Sequence, residues 1–253
     1  MRFVLVGVLA VACNEPRQVL PPVAGGGGIS GAGSGGSNTG STVPDANPDE
    51  IQGFVCVLVD PRDFTSCSAD SANGITVALP GVGSAMTADD GTFTIEMPTG
   101  TNLAWTITGD SVMPSTMGFG ASATIFAISV VTFSELVNAN GIVFDPTQGT
   151  ILGEVLQNGS GASLVTVVAA PIGVYPDTFY AVPSDQQDWP GSTTSAFGTF
   201  LIAGLTAGLG SAGSAGSDTS TETLTITPST GSAEILSNVP VTQGSVTFVR
   251  AQL

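Results

Sequence analysis

The chain has 253 residues, a formal net charge of −16 and 9% charged residues, with Gly, Ser, Thr, Val and Ala dominating. It has no histidine, and its four basic residues are all arginine. Those absences exclude Ser-His-Asp and Cys-His nucleophiles, Schiff-base lysines and the GxxxxGK phosphate loop, and they leave no basic footprint for nucleic acid.

In chain order, Arg2 precedes an apolar run from Phe3 to Leu9, then the small residues Ala10, Val11 and Ala12, then Cys13. A cationic start, an apolar stretch too short to span a bilayer and small residues before a cut describe an export signal. With Arg2 as its only charge, the signal leaves open whether Met1 is the true start. A cysteine at the cut position resembles the lipobox of bacterial lipoproteins. The resemblance implies a signal peptide over 1–12, lipidation of Cys13 and an exported protein anchored to the envelope, at the outer membrane or cell surface. Losing Arg2 with the signal would take the charge from −16 to −17. Anionic headgroups would repel such a chain, so membrane attachment has to come from the lipid.

Residues 13–50 hold Pro16, Pro21 and Pro22, the glycines 25–28 and the stretch GAGSGGSNTGS. That composition buries too little apolar surface to offset its ordering entropy and predicts a disordered, flexible tether. Cys56 and Cys67 then remain as a pair. In an exported protein two such thiols are expected as a disulfide, contributing about 2–3 kcal/mol through the loop they close.

The folded part repeats itself. Ile51-Gln-Gly53-Phe-Val55 is matched by Ile151-Leu-Gly153-Glu-Val155, GITVALPG from Gly74 by SLVTVVAAP from Ser163, and Gly91-Thr-Phe93-Thr-Ile95 by Gly198-Thr-Phe200-Leu-Ile202. Trp105-Thr-Ile107 is matched by Leu224-Thr-Ile226. The offset grows at the Gly/Ser stretch 207–218, which reads as an inserted loop, since closure entropy rises only logarithmically with length. Apolar and polar residues alternate in TFTIEM, and Asp89-Asp90-Gly91 is a hairpin signal. The expected core rows are Val77, Leu79, Phe93, Ile95 and Ile107 in the first copy, and Val165, Val167, Phe200, Ile202 and Ile226 in the second. One helix is predicted over 133–139, with Thr132 and Glu135 at capping-box spacing and Gly141 as the stop. It would be a connecting turn between the copies.

These signals predict an all-β fold of two tandem antiparallel β-sandwich domains, transthyretin-like or Ig-like, over 51–140 and 141–253. Each should have its own core. The order I-x-G-x-V, an apolar strand ending near Pro, D-G-x-F-x-I and a final T-I strand is similar to the carboxypeptidase regulatory-like domain. That resemblance implies a transthyretin-type sandwich and a non-catalytic accessory or surface module; it carries over no binding residue.

Only carboxylate chemistry survives the exclusions. Asp60 with Asp63, Asp89 with Asp90, and Asp185 with Asp188 are the pairs an enzyme could use, and each is explained as readily by a turn. Asp60, Asp63 and Asp70 are candidate calcium ligands on the loop near the cysteines. Tyr175, Tyr180 and Trp189 form an aromatic segment that could stack on sugar rings or cap the core. No cofactor is expected. The sequence thus points to a structural, adhesive or binding module of the envelope, its partners the membrane through a lipid anchor and an envelope polysaccharide or surface protein. A carbohydrate-binding lipoprotein is the alternative, and a carboxylate enzyme a more remote one.

Overall fold

The computed structural model describes residues 50–68, 72–96, 104–118, 124–170, 177–207 and 219–253. Cys13, the signal, residues 13–49, Asp70, Tyr175 and residues 208–218 lie outside them. The first copy supplies β1 (Glu50–Leu58), β2 (Cys67–Ser68), β3 (Thr76–Leu79), β4 (Gly83–Met86), β5 (Thr92–Glu96), β6 (Ala104–Gly109), β7 (Val112–Gly118), β8 (Thr124–Ile128) and α1 (Val130–Ala139). The second supplies β9 (Gln148–Gln157), β10 (Ser160–Gly161), β11 (Val165–Ala170), β12 (Thr178–Tyr180), β13 (Thr199–Thr206), β14 (Thr219–Pro228), β15 (Glu234–Thr242) and β16 (Val246–Gln252). The protein is nearly all β, as its alternating, β-branched sequence predicts.

Three sheets form. In the first, β1 pairs with β2, β5 and β8; the third is β11-β14-β15. Between them in composition lies a nine-stranded sheet, ordered β12-β13-β9-β16-β7-β6-β3-β4 with β10 on β9, which draws strands from both copies. The pairing is not wholly antiparallel as expected. β8 runs parallel to β1, and β16 runs parallel to both β7 and β9. Parallel strands are found where both faces are covered, and Val55–Leu58 of β1, Ile125–Ile128 of β8 and Val246–Val249 of β16 are buried on both faces.

Two cores match the expected rows. Val77, Leu79, Phe93, Ile95 and Ile107 join Val55, Val57, Trp105, Ile125 and Ala127 in one cluster. Val165, Val167, Phe200, Ile202 and Ile226 join Ile151, Val155 and Leu224 in another. The third core was not expected. Cys56, Leu58, Phe126 and Ile128, on the opposite faces of β1 and β8, pack with Leu152, Leu201, Val246 and Phe248 from the second copy. The division at 140 and 141 therefore separates the copies in sequence but not in packing, and the described residues fall within one compact unit, Ala46–Leu253.

The helix also differs from expectation. It begins at Val130, three residues early, because the Ser129 hydroxyl accepts the Thr132 N–H at 3.0 Å and caps it. It is more than a connector: Phe133, Leu136 and Val137 are buried in the shared core.

The repeat is realised bond for bond. Val55 N–H donates to Gly91 O at 2.9 Å, and Val155 N–H donates to Gly198 O at 2.8 Å. Both glycines have positive φ, +80° and +72°, and a Cβ on Gly198 would stand 2.1 Å from Val155 O. A buried threonine braces each copy. Thr87 Oγ1 accepts from Ile75 N–H and donates to Ala72 O; Thr194 Oγ1 accepts from Val165 N–H and donates to Ala162 O.

Two outcomes follow from the packing. Phe200→Ala should lower the unfolding free energy by about 3–5 kcal/mol in urea titration, as a core truncation. A fragment ending at Asn140 would expose Cys56, Leu58, Phe126 and Ile128 to water, so it should bind a hydrophobic dye and lose near-UV dichroism while the full body does neither. A fragment with a sharp cooperative transition and no dye binding would show that the first copy does not need the shared core.

Candidate functional site

Of the sequence candidates, Cys56, Cys67, Asp60, Asp185 and Trp189 come together at the seam beside the shared core. Tyr180 lies in the core of the second copy and Asp90 in a turn of the first. Cys56 and Cys67 are joined as expected, with their Cα atoms 4.9 Å apart. The disulfide ties the loop 59–66 to the end of β1, and that loop reaches the second copy. Phe64 is buried against Phe126 and Phe248, at ring-centroid distances of 4.9 and 6.0 Å.

Arg62 is the main polar staple. Its Nε and Nη2 bind Asp60 at 2.8 to 3.3 Å, Nη1 donates to Val182 O and Pro183 O, and its guanidinium carbon lies 5.0 Å from the centre of the Phe197 ring. Gln186 Nε2 donates to Asp60 Oδ2 from the second copy at 3.0 Å. Burial pushes the Asp60 carboxyl up, but the hydrogen bonds and charge of Arg62 outweigh it and hold the group below the ordinary aspartate range.

Arg250 is the other described arginine. It sits opposite Glu154 in the β9–β16 register, binds its Oε2 at 2.8 Å and lies 5.4 Å from the centre of the Phe126 ring. Desolvation raises the Glu154 carboxyl above its usual value, with the Arg250 charge pulling the other way and Asp63 adding to the rise. Burial wins because only 8% of the Glu154 side chain is exposed.

The third staple is Asn140, at the C-cap of α1. Its Nδ2 donates to Leu136 O at 2.8 Å and to Gln187 O at 2.6 Å, while its Oδ1 accepts Trp189 N–H at 2.9 Å. Gln187 Nε2 adds a bond to Glu135 Oε2.

This arrangement corrects the binding and metal candidates. Trp189 is fully buried in the shared core, its Nε1 donating to Gln186 O. Tyr180 is 5% exposed, and its hydroxyl bonds both Val167 N–H and Val167 O. Neither ring offers a face to a sugar, because each pairs its polar atom inside the protein and turns its apolar body to the core. At Asp60 a guanidinium fills the place a calcium ion would need. Asp63 accepts from Thr65 N–H and Oγ1 in its own turn, and no group of three potential ligands occurs among the described residues.

The carboxylate pairs proposed for catalysis are likewise turn residues. Asp90 accepts from Thr92 N–H and Oγ1, and Asp185 accepts from the backbone N–H groups of Gln187 and Asp188. Asp145, with Thr147, repeats the Asp-x-Thr pattern seen at Asp63 and Asp90. Each Asp90 and Asp145 carboxyl is held below its ordinary range, first by the threonine hydroxyl and then by the backbone N–H. Asp63, Asp90, Asp145 and Asp185 thus serve to close turns. An open groove of about 410 Å³, lined by Pro80, Thr106, Pro114, Thr116, Pro240 and Gln243 among others, carries no charged or aromatic side chain.

Sequence reasoning missed Asn140, Phe64, the Glu154–Arg250 pair and the bracing threonines. Asn140 had a signal, its place just before Gly141 at a helix end. Glu154 and Arg250 are 96 residues apart and have no local signal.

No family model matches the chain, so the resemblance to the carboxypeptidase regulatory-like domain gains no support from that side, and no curated protein matches it. Among solved structures, the Bacillus anthracis TIE protein is similar at 9% identity and a TM-score of 0.24, covering 71% of this chain and 31% of its own. GBS52, the minor pilin of the gram-positive pathogen Streptococcus agalactiae, is similar at 11% identity and a TM-score of 0.21, covering 67% of this chain and 66% of its own. The chain therefore spans about a third of the first and just under two thirds of the second. At such TM-scores neither likeness says anything about function.

The seam yields a charge-resolved test. Arg250→Met should cost about 1–3 kcal/mol by leaving Glu154 buried without its donor. Glu154→Gln should be at least as stable as the wild type at neutral pH. The folded-state pKa of Glu154 is raised, so its contribution to stability is fullest in acid and is lost as pH rises through that pKa. The Gln variant should lack that decline in pH-resolved denaturation; a decline identical to the wild type would assign it elsewhere.

Proposed function

We propose that the chain is a non-catalytic module of a bacterial cell surface, exported, held to the envelope by lipid on Cys13 and serving a structural or adhesive role. The observation that supports this most is the use made of the chemically capable side chains at the seam. Arg62, Asp60, Asn140 and Trp189 are committed to binding one copy to the other, and Arg250 lies on Phe126 of the first copy while paired with Glu154 of its own. A body locked at its seam suits load-bearing or presentation, and a Gly/Ser-rich stretch before it would set it away from a membrane. No described helix is long and apolar enough to cross a membrane.

The surface that would meet a partner is neutral rather than acidic. On the outer face of the third sheet, Val168, Thr225 and Ile235 form one cross-strand row, with Val168 51% and Ile235 63% exposed. An envelope polysaccharide or surface protein is the class of partner that fits an exported module of this kind.

Anchoring and exposure can be read together. Cells given a clickable fatty acid should label the wild type and not Cys13→Ala, and protease added to intact cells should remove the wild-type body. The Cys13→Ala protein should appear in the soluble exported fraction. Equal labelling of both proteins, or a wild type found soluble in the cytoplasm, would overturn the proposal.

A further inference from the structure

We propose that Asn158–Gly159 is a self-modification site, at which the turn converts its own asparagine to aspartate and isoaspartate. The other two Asn-Gly pairs of the chain, Asn73–Gly74 and Asn140–Gly141, are held against the same reaction. The three share the dipeptide, so sequence does not rank them; their hydrogen bonds do.

The reaction needs the glycine backbone nitrogen to reach the asparagine side-chain carbon. Gly159 N attacks Asn158 Cγ, a new C–N bond closes a five-membered succinimide, and the side-chain nitrogen leaves as ammonia, carrying the proton given up by Gly159. Water then opens the ring. Addition at the side-chain carbonyl gives aspartate, and addition at the main-chain carbonyl gives isoaspartate, whose backbone runs through the side-chain methylene. Water is the only co-reactant, nothing is oxidised or reduced, and one negative charge is gained.

At Asn158–Gly159 the nucleophile is available. The two residues form the two-residue loop between β9 and β10, flanked by the Gln157–Ser160 pair, with φ of 53° and 80°. Both are exposed. Among the described residues, neither the Gly159 N–H nor the Asn158 side chain has a hydrogen-bond partner. Elsewhere the nucleophile is tied. Gly74 N–H donates to Thr87 O at 3.3 Å, and Gly141 N–H donates to Asn138 O at 3.1 Å.

Asn140 is held most firmly. Its amide makes three hydrogen bonds, to Leu136 O, Gln187 O and Trp189 N–H, and the last leads to a fully buried ring. Turning its Cγ toward Gly141 N would break all three and the Gly141 bond as well. Reaction there requires local unfolding, whose equilibrium constant multiplies directly into the rate. Conversion at Asn158 adds a charge and, as isoaspartate, an extra backbone carbon to a loop that sets the β9–β10 register. It would release Ser160 and Gly161 from the tip and leave the pairing of β9 with β13 and β16 intact.

The test is to hold the folded body, with its disulfide closed, in neutral buffer and to follow each Asn-Gly peptide by digestion and mass spectrometry, using electron-based fragmentation to separate aspartate from isoaspartate. Asn158 should convert roughly ten-fold or more faster than Asn140 in the folded chain, and the three should converge in denaturant, where local opening no longer limits them. Asn158→Gln should remove the fast component. Equal rates at Asn158 and Asn140 in the folded chain would overturn the proposal. So would an Asn158 that stays intact when folded and converts only in denaturant.

Discussion

Strands buried on both faces govern this structure. β1 carries Val55 and Val57 into the core of the first copy and Cys56 and Leu58 into the shared one; β8 divides Ile125 and Ala127 from Phe126 and Ile128 in the same way. β13 sends Phe200 and Ile202 to the core of the second copy and Leu201 to the seam. A two-sided strand cannot shift by one residue without exchanging two apolar sets, so register is fixed from both sides. Exposing either set to water would cost on the order of 1.5–3 kcal/mol per large side chain. That penalty binds the two copies more strongly than the short chain segment between them.

The polar groups at the seam follow from the same burial. A chain of net charge −16 has few cations to place, and both described arginines stand beside the shared core. Each lies on an aromatic ring, Phe197 or Phe126, and each holds one carboxylate. Guanidinium suits that position because it is weakly hydrated, planar and able to stack while its edge donates. Asp60 and Glu154 nevertheless respond in opposite directions. Asp60 gains three nitrogen contacts from Arg62 and stays acidic, whereas Glu154 has a single bond to Arg250 and is dominated by desolvation.

Chemistry and architecture are therefore not separate parts of this protein. The aromatic residue nearest to a binding candidate, Trp189, lies in the core because Asn140 and Gln186 satisfy its two N–H groups there. The aspartates nearest to a metal candidate are closed by threonine, backbone or arginine donors. The open groove lined by Pro80, Thr106, Pro114 and Pro240 carries no charged side chain, and Val168, Thr225 and Ile235 form an uncharged row on the third sheet.

Much was legible in the sequence because the relevant physics is local. Alternation in TFTIEM and VTVVAA placed the two core rows, the glycines of D-G-T-F and F-G-T-F marked equivalent turns, and two thiols in an export context implied their bond. The sequence by itself determined the β class, the repeat, the disulfide and the apolar residues that make each sandwich. Only the tertiary structure decided that β16 lies between β7 and β9, that β1 and β8 have a second buried face, and that Trp189, Arg62 and Glu154 meet at a seam. Those facts depend on pairings across about a hundred residues, where no turn or periodicity specifies the partner. A run such as FVCVL reads equally well as one strand of a single sandwich or as a strand shared by two, until its second face finds apolar cover.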